Sequence, residues 1–257
     1  MLTDESEVIF SSNGYIEYQK GNMPLIVCIP YEGHQHLPEV PNHKNSSKII
    51  TKNNLYIQEI GKDLKKKIIK LKSQSYLIIN HLHRSKLDAN CKLEKESSAP
   101  ETKKAWKEYH NFISRAIEDI KEKHGCGLLI DLHGHEQSEN IKLEYMLLKE
   151  ELMLSDEQIN QFSFFQTESS ITNLYFNYKR ILFFSELLYR QFKSLGRKLQ
   201  SYSYETTPSH INQYPKDEKY FSGRYTIKKY KLILMQSKLN YQENIIQINQ
   251  IKKVTNF

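Results

Sequence analysis

The sharpest chemical motif in the chain is a short alternation of acid and imidazole after an apolar run. Asp131, His133 and His135 occupy every second position, and Gly134 separates the two histidines. Imidazole is a common zinc ligand, and the end of a strand would hold it rigidly. Asp131 is a candidate catalytic residue because its carboxylate can hydrogen-bond to a neighbouring group and orient it. Solvent-facing or hydrogen-bonded histidines would produce the same pattern about as often as a metal site.

A second candidate group of metal ligands follows an earlier apolar run. His34 and His36 lie there two residues apart, shortly after Glu32. Two histidines at this spacing on a loop are weak evidence by themselves, because a surface loop can carry them equally well. Their interest comes from the predicted position of the loop, which lies opposite the motif ending at His135 at the same edge of a sheet.

Cationic side chains follow a third apolar run. Arg84 and Lys86 lie in this segment, and Asp88 and Asn90 follow them at alternate positions. The planar guanidinium of an arginine suits bidentate binding of a carboxylate. Arg84, Lys86 and Asn90 are therefore candidates for binding an anionic substrate. An internal group of ion pairs that includes Asp88 is the alternative, and the sequence favours neither reading.

Three continuous apolar runs predict the strands that position these groups. Each run is short and bounded by polar or turn residues, which is typical of strands buried on both faces of a parallel sheet. The predicted strands are residues 25–29, 76–80 and 128–130, separated by helices over about 55–72 and 100–123. Apolar residues three or four apart predict one buried face on each helix, which includes Ile60 on the first and Trp106, Tyr109, Ile113, Ala116, Ile117 and Ile120 on the second. Parallel strands joined by crossover helices bring the loops after them to one edge, where ligands bind. We therefore expect an α/β fold with a mostly parallel central sheet flanked by helices.

The pattern is weaker after residue 135. Helices are predicted over 147–163 and 178–200, strands over 232–235 and 245–248, and no regular structure over 201–219. No internal repeat or linker marks a domain boundary. We therefore expect a single domain over residues 1–257.

The chain carries a formal net charge of +7. Such a charge attracts nucleic acids, anionic membranes or acidic molecules. The lysines are scattered or lie on predicted helix faces, and the spacing of known nucleic-acid-binding modules is absent. Nucleic-acid binding is therefore a minor alternative, whereas the lysine-rich helices suit an acidic protein partner.

The cysteines and the hydropathy predict the compartment. Cys28, Cys91 and Cys126 are far apart and odd in number, so they form no disulfide framework and suit a reducing environment. Residues 1–21 lack the apolar core of a secretory signal. No stretch approaches the roughly 20 apolar residues of a membrane span. The sequence therefore predicts a cytoplasmic protein that does not enter a membrane.

Several segments in a fixed order make the chain resemble a known family. These segments are residues 80–90, 105–113, 127–135, 169–174, 194–196 and 220–223. Together they are similar to the N-formylglutamate amidohydrolase-like family, in particular to its eukaryotic-type members. The resemblance implies a fold like that of zinc carboxypeptidases, in the phosphorylase/hydrolase-like group, with zinc at the strand ends. It also implies hydrolysis of a small anionic amide such as N-formyl-L-glutamate, in which zinc activates water and a carboxylate moves the proton.

Three positions depart from the pattern of this family. Tyr31 stands where the resemblance implies the first metal-binding histidine, and Asn54 stands where it implies an acidic ligand. Asn249 occupies the catalytic position of the glutamate that would act as proton shuttle. An asparagine is neither an anionic ligand nor a base near neutral pH, so His133 is the implied metal ligand that remains.

Two hypotheses follow, and both stay open at this point. In the first, the chain is a working metal-dependent amidohydrolase in which Glu32, His34, His36 or His135 completes the site around His133. In the second, the chain has lost its zinc and is a pseudoenzyme that serves as a binding or scaffold protein on the same fold. Stoichiometric zinc and hydrolysis of N-acyl amino acids are expected under the first hypothesis alone.

Overall fold

The chain divides into two compact units. The structure is a computed structural model and describes residues 7–31, 33–42, 57–69, 73–95, 99–134, 141–161, 169–178, 182–190, 194–216 and 225–230. The described residues up to 134 belong to the first unit, and those from 141 to 230 belong to the second. A single family-type domain over residues 1–257 stays a prediction.

A five-stranded mixed sheet forms the centre of the first unit. Its strands are β1 (Val8–Phe10), β2 (Ile16–Gln19), β3 (Leu25–Ile29), β4 (Tyr76–Asn80) and β5 (Leu128–Asp131). They lie in the order β1-β2-β4-β3-β5, in which β4, β3 and β5 are parallel and the β1–β2 and β2–β4 pairs are antiparallel. The three predicted strands are confirmed. They are also neighbours, so their carboxyl ends meet at one edge of the sheet.

Burial along the strands agrees with the sequence pattern in part. Every residue of β3 and β4 is buried, as continuous apolar runs predict. The prediction of β5 as a fully buried strand is wrong, because its four residues are half-buried and β3 is its one partner in this sheet. The hairpin of β1 and β2 was not predicted, since strands of three and four residues carry too little periodicity.

Two long helices pack against this sheet, and a short 3-10 helix (Leu93–Lys95) precedes the second of them. They are α1 (Ile57–Ile69) and α2 (Pro100–His124). Proline suits the first turn of a helix, where its missing N–H has no intrahelical partner. Gly125 ends α2 with a φ of 74°, and its N–H donates to Lys121 O. The apolar stripe predicted for α2 is confirmed, because Trp106, Tyr109, Ile113, Ala116, Ile117 and Ile120 are all buried.

The apolar face predicted for α1 needs a correction. Ile60, which the spacing places on the buried stripe, is 50% exposed. Gly61 faces the sheet instead, because a Cβ at this position would collide with the side chain of Ile29. Lys65 also lies on the buried side, where its ammonium donates to Lys20 O at 3.1 Å. Apolar periodicity alone would not predict this face of α1, because it contains a glycine and a hydrogen-bonded lysine.

The second unit consists of short helices and a pair of two-residue strands. The strands are β6 (Ile141–Lys142) and β7 (Thr206–Thr207), which pair in parallel. The helices are α3 (Lys149–Leu152), α4 (Asp156–Gln161), α5 (Thr172–Tyr178), α6 (Leu195–Gln200) and α7 (Tyr225–Tyr230), with a π-helix at Glu186–Arg190. Its core includes Tyr145, Leu147, Leu152, Ile159, Phe184, Leu188 and Tyr189.

The prediction of one helix over 178–200 is wrong. Leu182 and Phe183 are not helical, and α6 begins only after Ser194. The Oγ of Ser194 accepts a hydrogen bond from Arg197 N at 3.3 Å, which is the arrangement of an N-cap. The apolar residues of this segment are therefore divided between two helical pieces.

The other predictions for the second half have mixed outcomes. The segment 147–163 holds two helices rather than one, and the stretch 201–219 contributes β7 to a strand pair. The strands predicted at 232–235 and 245–248 lie outside the described residues. Where the structure describes the chain, its helices are too short or too polar to cross a membrane.

Candidate functional site

Six polar or aromatic side chains lie where β3, β4 and β5 end, and we call them the strand-end cluster. They are Tyr31, Arg84, Asp88, Asn90, Asp131 and His133. Asn80, the fully buried last residue of β4, holds two of the loops together. Its Nδ2 donates to Pro30 O at 2.9 Å and to Leu82 O at 3.2 Å. The parallel sheet and this asparagine therefore position the cluster before any ligand binds.

Tyr31 forms the buried centre of the cluster. Its hydroxyl donates to Asp88 Oδ1 at 2.7 Å, and the guanidinium carbon of Arg84 lies 3.9 Å from its ring centroid. Burial raises the pKa of Tyr31 well above its ordinary value, and the carboxylate of Asp88 raises it further, while Arg84 opposes them. The phenol therefore stays protonated near neutral pH and acts as a neutral hydrogen-bond donor.

Three groups contact the carboxylate of Asp88. Besides the Tyr31 hydroxyl, it accepts a hydrogen bond from Asn90 N at 3.0 Å through Oδ1. Its Oδ2 lies 3.9 Å from Arg84 Nη2, and both side chains are largely buried. The i and i+4 spacing of Arg84 and Asp88 was the sequence signal for this pair. The partnership of Asp88 with Tyr31 across 57 residues had no such signal.

Asp131 and His133 form the other half of the cluster. The side chain of Asp131 is 4% exposed, and its Oδ2 lies 3.0 Å from His133 Nε2. Despite this short distance, neither carboxylate oxygen has an aligned hydrogen-bond donor within the described part of the chain. The two side chains are therefore in close contact without a directed hydrogen bond. Asn90 Nδ2 approaches the same nitrogen of His133 at 3.5 Å, and the rings of Tyr31 and His133 lie 5.1 Å apart.

The donor set does not fit the zinc site that the resemblance implies. Tyr31 is a neutral phenol whose hydroxyl is taken by Asp88, so it is not the anionic or imidazole ligand that zinc prefers. No three His, Cys, Asp or Glu side chains among the residues that the structure describes are arranged to hold a metal ion. Asn54, Asn249, His135 and Glu32 lie outside those residues, and their roles stay predictions.

His34 and His36 lie beside His83. The backbone of Gln35 accepts from His83 N at 3.1 Å and donates to His81 O at 3.0 Å, which continues the parallel pairing of β3 with β4. The rings of His36 and His83 then contact each other in a tilted arrangement, with their centroids 3.8 Å apart. The role of His34 and His36 as substitute ligands for His133 stays a prediction.

We expect the contact between His36 and His83 to weaken in acid. Burial lowers the pKa of His83, and the charges of His36, His34 and Lys86 lower it further. A histidine with a lowered pKa binds its proton more weakly in the folded state than in the unfolded state. Its stabilisation is therefore complete above the unfolded pKa of about 6.5 and is lost as the pH falls below that value.

We expect His83→Gln to lose less unfolding free energy than the wild type between about pH 7.5 and about pH 5.5. Urea unfolding at the two pH values measures this difference. His124→Gln, which removes an exposed histidine on α2, is the control and should follow the wild type. Equal losses in wild type and His83→Gln would contradict the prediction.

Lys86 does not direct its charge to the cluster. Its Nζ donates to Val40 O at 2.7 Å, so the ammonium ties the loop after β3 to the loop after β4. A substrate-binding role for Lys86 stays a prediction. Arg84 differs because its Nε is buried and has no hydrogen-bond partner among the described residues.

A cavity of about 380 Å³ lies in the second unit. Arg197, Tyr204 and His210 contribute to its lining. Volume alone does not identify a functional site, and the candidate site is better placed at the strand-end cluster. Buried groups of Arg84 and Asp131 lack hydrogen-bond partners there among the described residues, and a missing ligand is one explanation for such groups.

Comparison with known proteins identifies no relative of this chain. Neither models of protein families nor curated proteins nor solved structures match this chain. The α/β architecture with a mixed central sheet is therefore what the structure shows, and the likeness to zinc carboxypeptidases stays a prediction that rests on the motifs quoted above.

Proposed function

We propose that the chain is a binding protein for small carboxylates on an amidohydrolase-like fold, and that it does not hydrolyse amides through zinc. The observation that carries this proposal is the state of Tyr31. At the position where the resemblance implies a metal-binding histidine, a buried phenol donates a hydrogen bond to Asp88 and stays in the neutral form. The proposal corresponds to the second of the two hypotheses drawn from the sequence.

The substituted positions act together against catalysis. Zinc lowers the pKa of its bound water to about 7 when three protein ligands hold the metal. Tyr31 removes one of the implied ligands, and Asn54 is not an anionic replacement for another. Asn249 cannot accept and return a proton, and a general base is worth about 10²- to 10⁴-fold in rate. Loss of metal and base together leaves little rate enhancement for this site.

The cluster remains suited to binding an anion. The guanidinium of Arg84 stacks on Tyr31 and lies near Asp88, which fixes the plane of its donors. Its Nε is the donor that remains buried and without a hydrogen bond. A carboxylate of a ligand would satisfy this donor and displace water from a largely enclosed cation.

Calorimetric titration with glutarate tests the proposal. We expect binding by the wild type, and a loss of about 10- to 100-fold in affinity for Arg84→Ala, the range given by removal of one charged hydrogen-bonded contact. Arg84→Lys keeps the charge without the planar fork and should recover only part of the loss. Arg115→Ala is a matched control, because Arg115 also stacks on a tyrosine, Tyr18, in the same unit. Absence of glutarate binding would overturn the proposal.

A working amidohydrolase is the second candidate, and one observation favours it. The buried carboxylate of Asp131 lies next to His133, and a carboxylate paired with imidazole often supports a metal-bound histidine. Stoichiometric zinc in the purified protein, with hydrolysis of N-formyl-L-glutamate that His133→Ala abolishes, would establish this candidate. The same result would overturn the proposal of a binding protein.

A further inference from the structure

Asp131 has a buried carboxyl group to which the described residues direct no hydrogen bond. Its side chain is 4% exposed, and neither oxygen has a directed hydrogen bond among the residues that the structure describes. Burying an ionised carboxylate without donors is costly, so such a group usually has a partner. The backbone keeps the residue in place, because Asp131 pairs with Cys28 in the sheet and Leu132 N donates to Cys28 O.

His133 cannot complete the set of donors. Its Nε2 lies between Asp131 Oδ2 and Asn90 Nδ2, at 3.0 Å and 3.5 Å. This nitrogen either carries a proton that it shares with Asp131 or presents a lone pair to the Asn90 amide, and it cannot do both. In either state, Oδ1 of Asp131 has no donor among the residues that the structure describes. A ligand that brings several N–H donors and a positive charge would satisfy it.

Arg84 provides the opposite charge in the same cluster. The guanidinium carbon of Arg84 lies 3.9 Å from the ring centroid of Tyr31, and the ring of His133 lies 5.1 Å from the same ring. His133 in turn contacts Asp131 at 3.0 Å, so Tyr31 and His133 connect the two charged groups. The Nε of Arg84 needs an acceptor and Oδ1 of Asp131 needs a donor. A molecule with a carboxylate and an ammonium group provides both.

We infer that the strand-end cluster binds an amino acid with a free amino group, rather than an N-acyl amino acid. The inference rests on the proposed function and names its ligand class. The ligand ammonium lies against Asp131, and the ligand carboxylate lies against Arg84. N-acylation removes the positive charge and two of the N–H donors, so an N-acyl ligand leaves Asp131 uncompensated.

Three ligands separate the contributions of the two charged groups. Glutarate has the carboxylates alone, L-glutamate adds the ammonium, and N-acetyl-L-glutamate carries a neutral amide in its place. By calorimetry with metal-free wild-type protein, we expect L-glutamate to bind about 10- to 100-fold more tightly than the other two. Asp131→Asn should reduce the affinity for L-glutamate to that for N-acetyl-L-glutamate.

The stability of the ligand-free protein gives a second readout. Asparagine has nearly the shape of aspartate but no charge to bury, so Asp131→Asn should raise the urea midpoint of unfolding while it weakens L-glutamate binding. A residue that served only to stabilise the fold would show the opposite change. The control Arg115→Ala should leave the preference among the three ligands unchanged.

The possible outcomes distinguish this inference from the proposed function. Equal or tighter binding of N-acetyl-L-glutamate would overturn the inference and leave a carboxylate-binding protein. Failure of all three ligands would overturn the proposed function and the inference with it. Binding of L-glutamate that requires added Zn²⁺ and disappears with a chelator would also overturn the inference, because a metal ion would then be the cation beside Asp131.

Discussion

Asp88→Ala is expected to destabilise the protein by about 3 kcal/mol or more, the cost of breaking a buried charge pair by removing one partner. The carboxylate of Asp88 accepts from the Tyr31 hydroxyl and from Asn90 N, and it lies near the Arg84 guanidinium. Its removal leaves a buried phenol donor and a largely buried cation without their acceptor. Urea unfolding near neutral pH measures the loss.

Two comparisons make this prediction specific. Asp63→Ala removes an exposed carboxylate that pairs with Lys66 on the surface of α1, and it should change stability by less than about 1 kcal/mol. Tyr31→Phe combined with Asp88→Ala should recover part of the loss, because it removes the orphaned hydroxyl as well. Equal effects of Asp88→Ala and Asp63→Ala would show that the pairing with Tyr31 contributes little.

Gly33→Ala is expected to have an effect of similar size for a steric reason. A Cβ on Gly33 would collide with the backbone of His81 and with Leu82 O, and backbone atoms cannot move aside as a side chain can. The loop after β3 would separate from the loop after β4, with loss of the hydrogen bonds of Gln35. Overpacking at such a site costs about 1–3 kcal/mol and sometimes more.

Gly14→Ala is the comparison for this variant. Gly14 has a φ of +72°, but a Cβ there meets nothing within 4 Å. The cost at Gly14 is therefore conformational and about 1 kcal/mol. Thermal and urea unfolding should give the larger loss for Gly33→Ala, together with weaker glutarate binding. A smaller loss for Gly33→Ala than for Gly14→Ala would contradict the close approach of the two loops.

Much of the first unit can be predicted from local patterns. The apolar runs that become β3 and β4 are continuous because both faces of these strands are buried. Pro100 and Gly125 mark the ends of α2 through their backbone preferences, which act within a few residues. The second unit is harder to predict, since its helices are short and interrupted. Periodicity needs longer segments to show which face is buried.

The grouping of Tyr31, Arg84 and His133 also follows from the chain, because parallel strands must end at a common edge. The hydrogen bonds and contacts within this group cannot be predicted from the sequence in the same way. Spacing in the sequence reports which residues share a face of one element, and it carries no information about partners brought from another loop. The hydrogen bond from Tyr31 to Asp88 and the contact of His36 with His83 therefore form only when the loops meet in three dimensions. The lack of a directed hydrogen bond to Asp131 among the described residues arises in the same way.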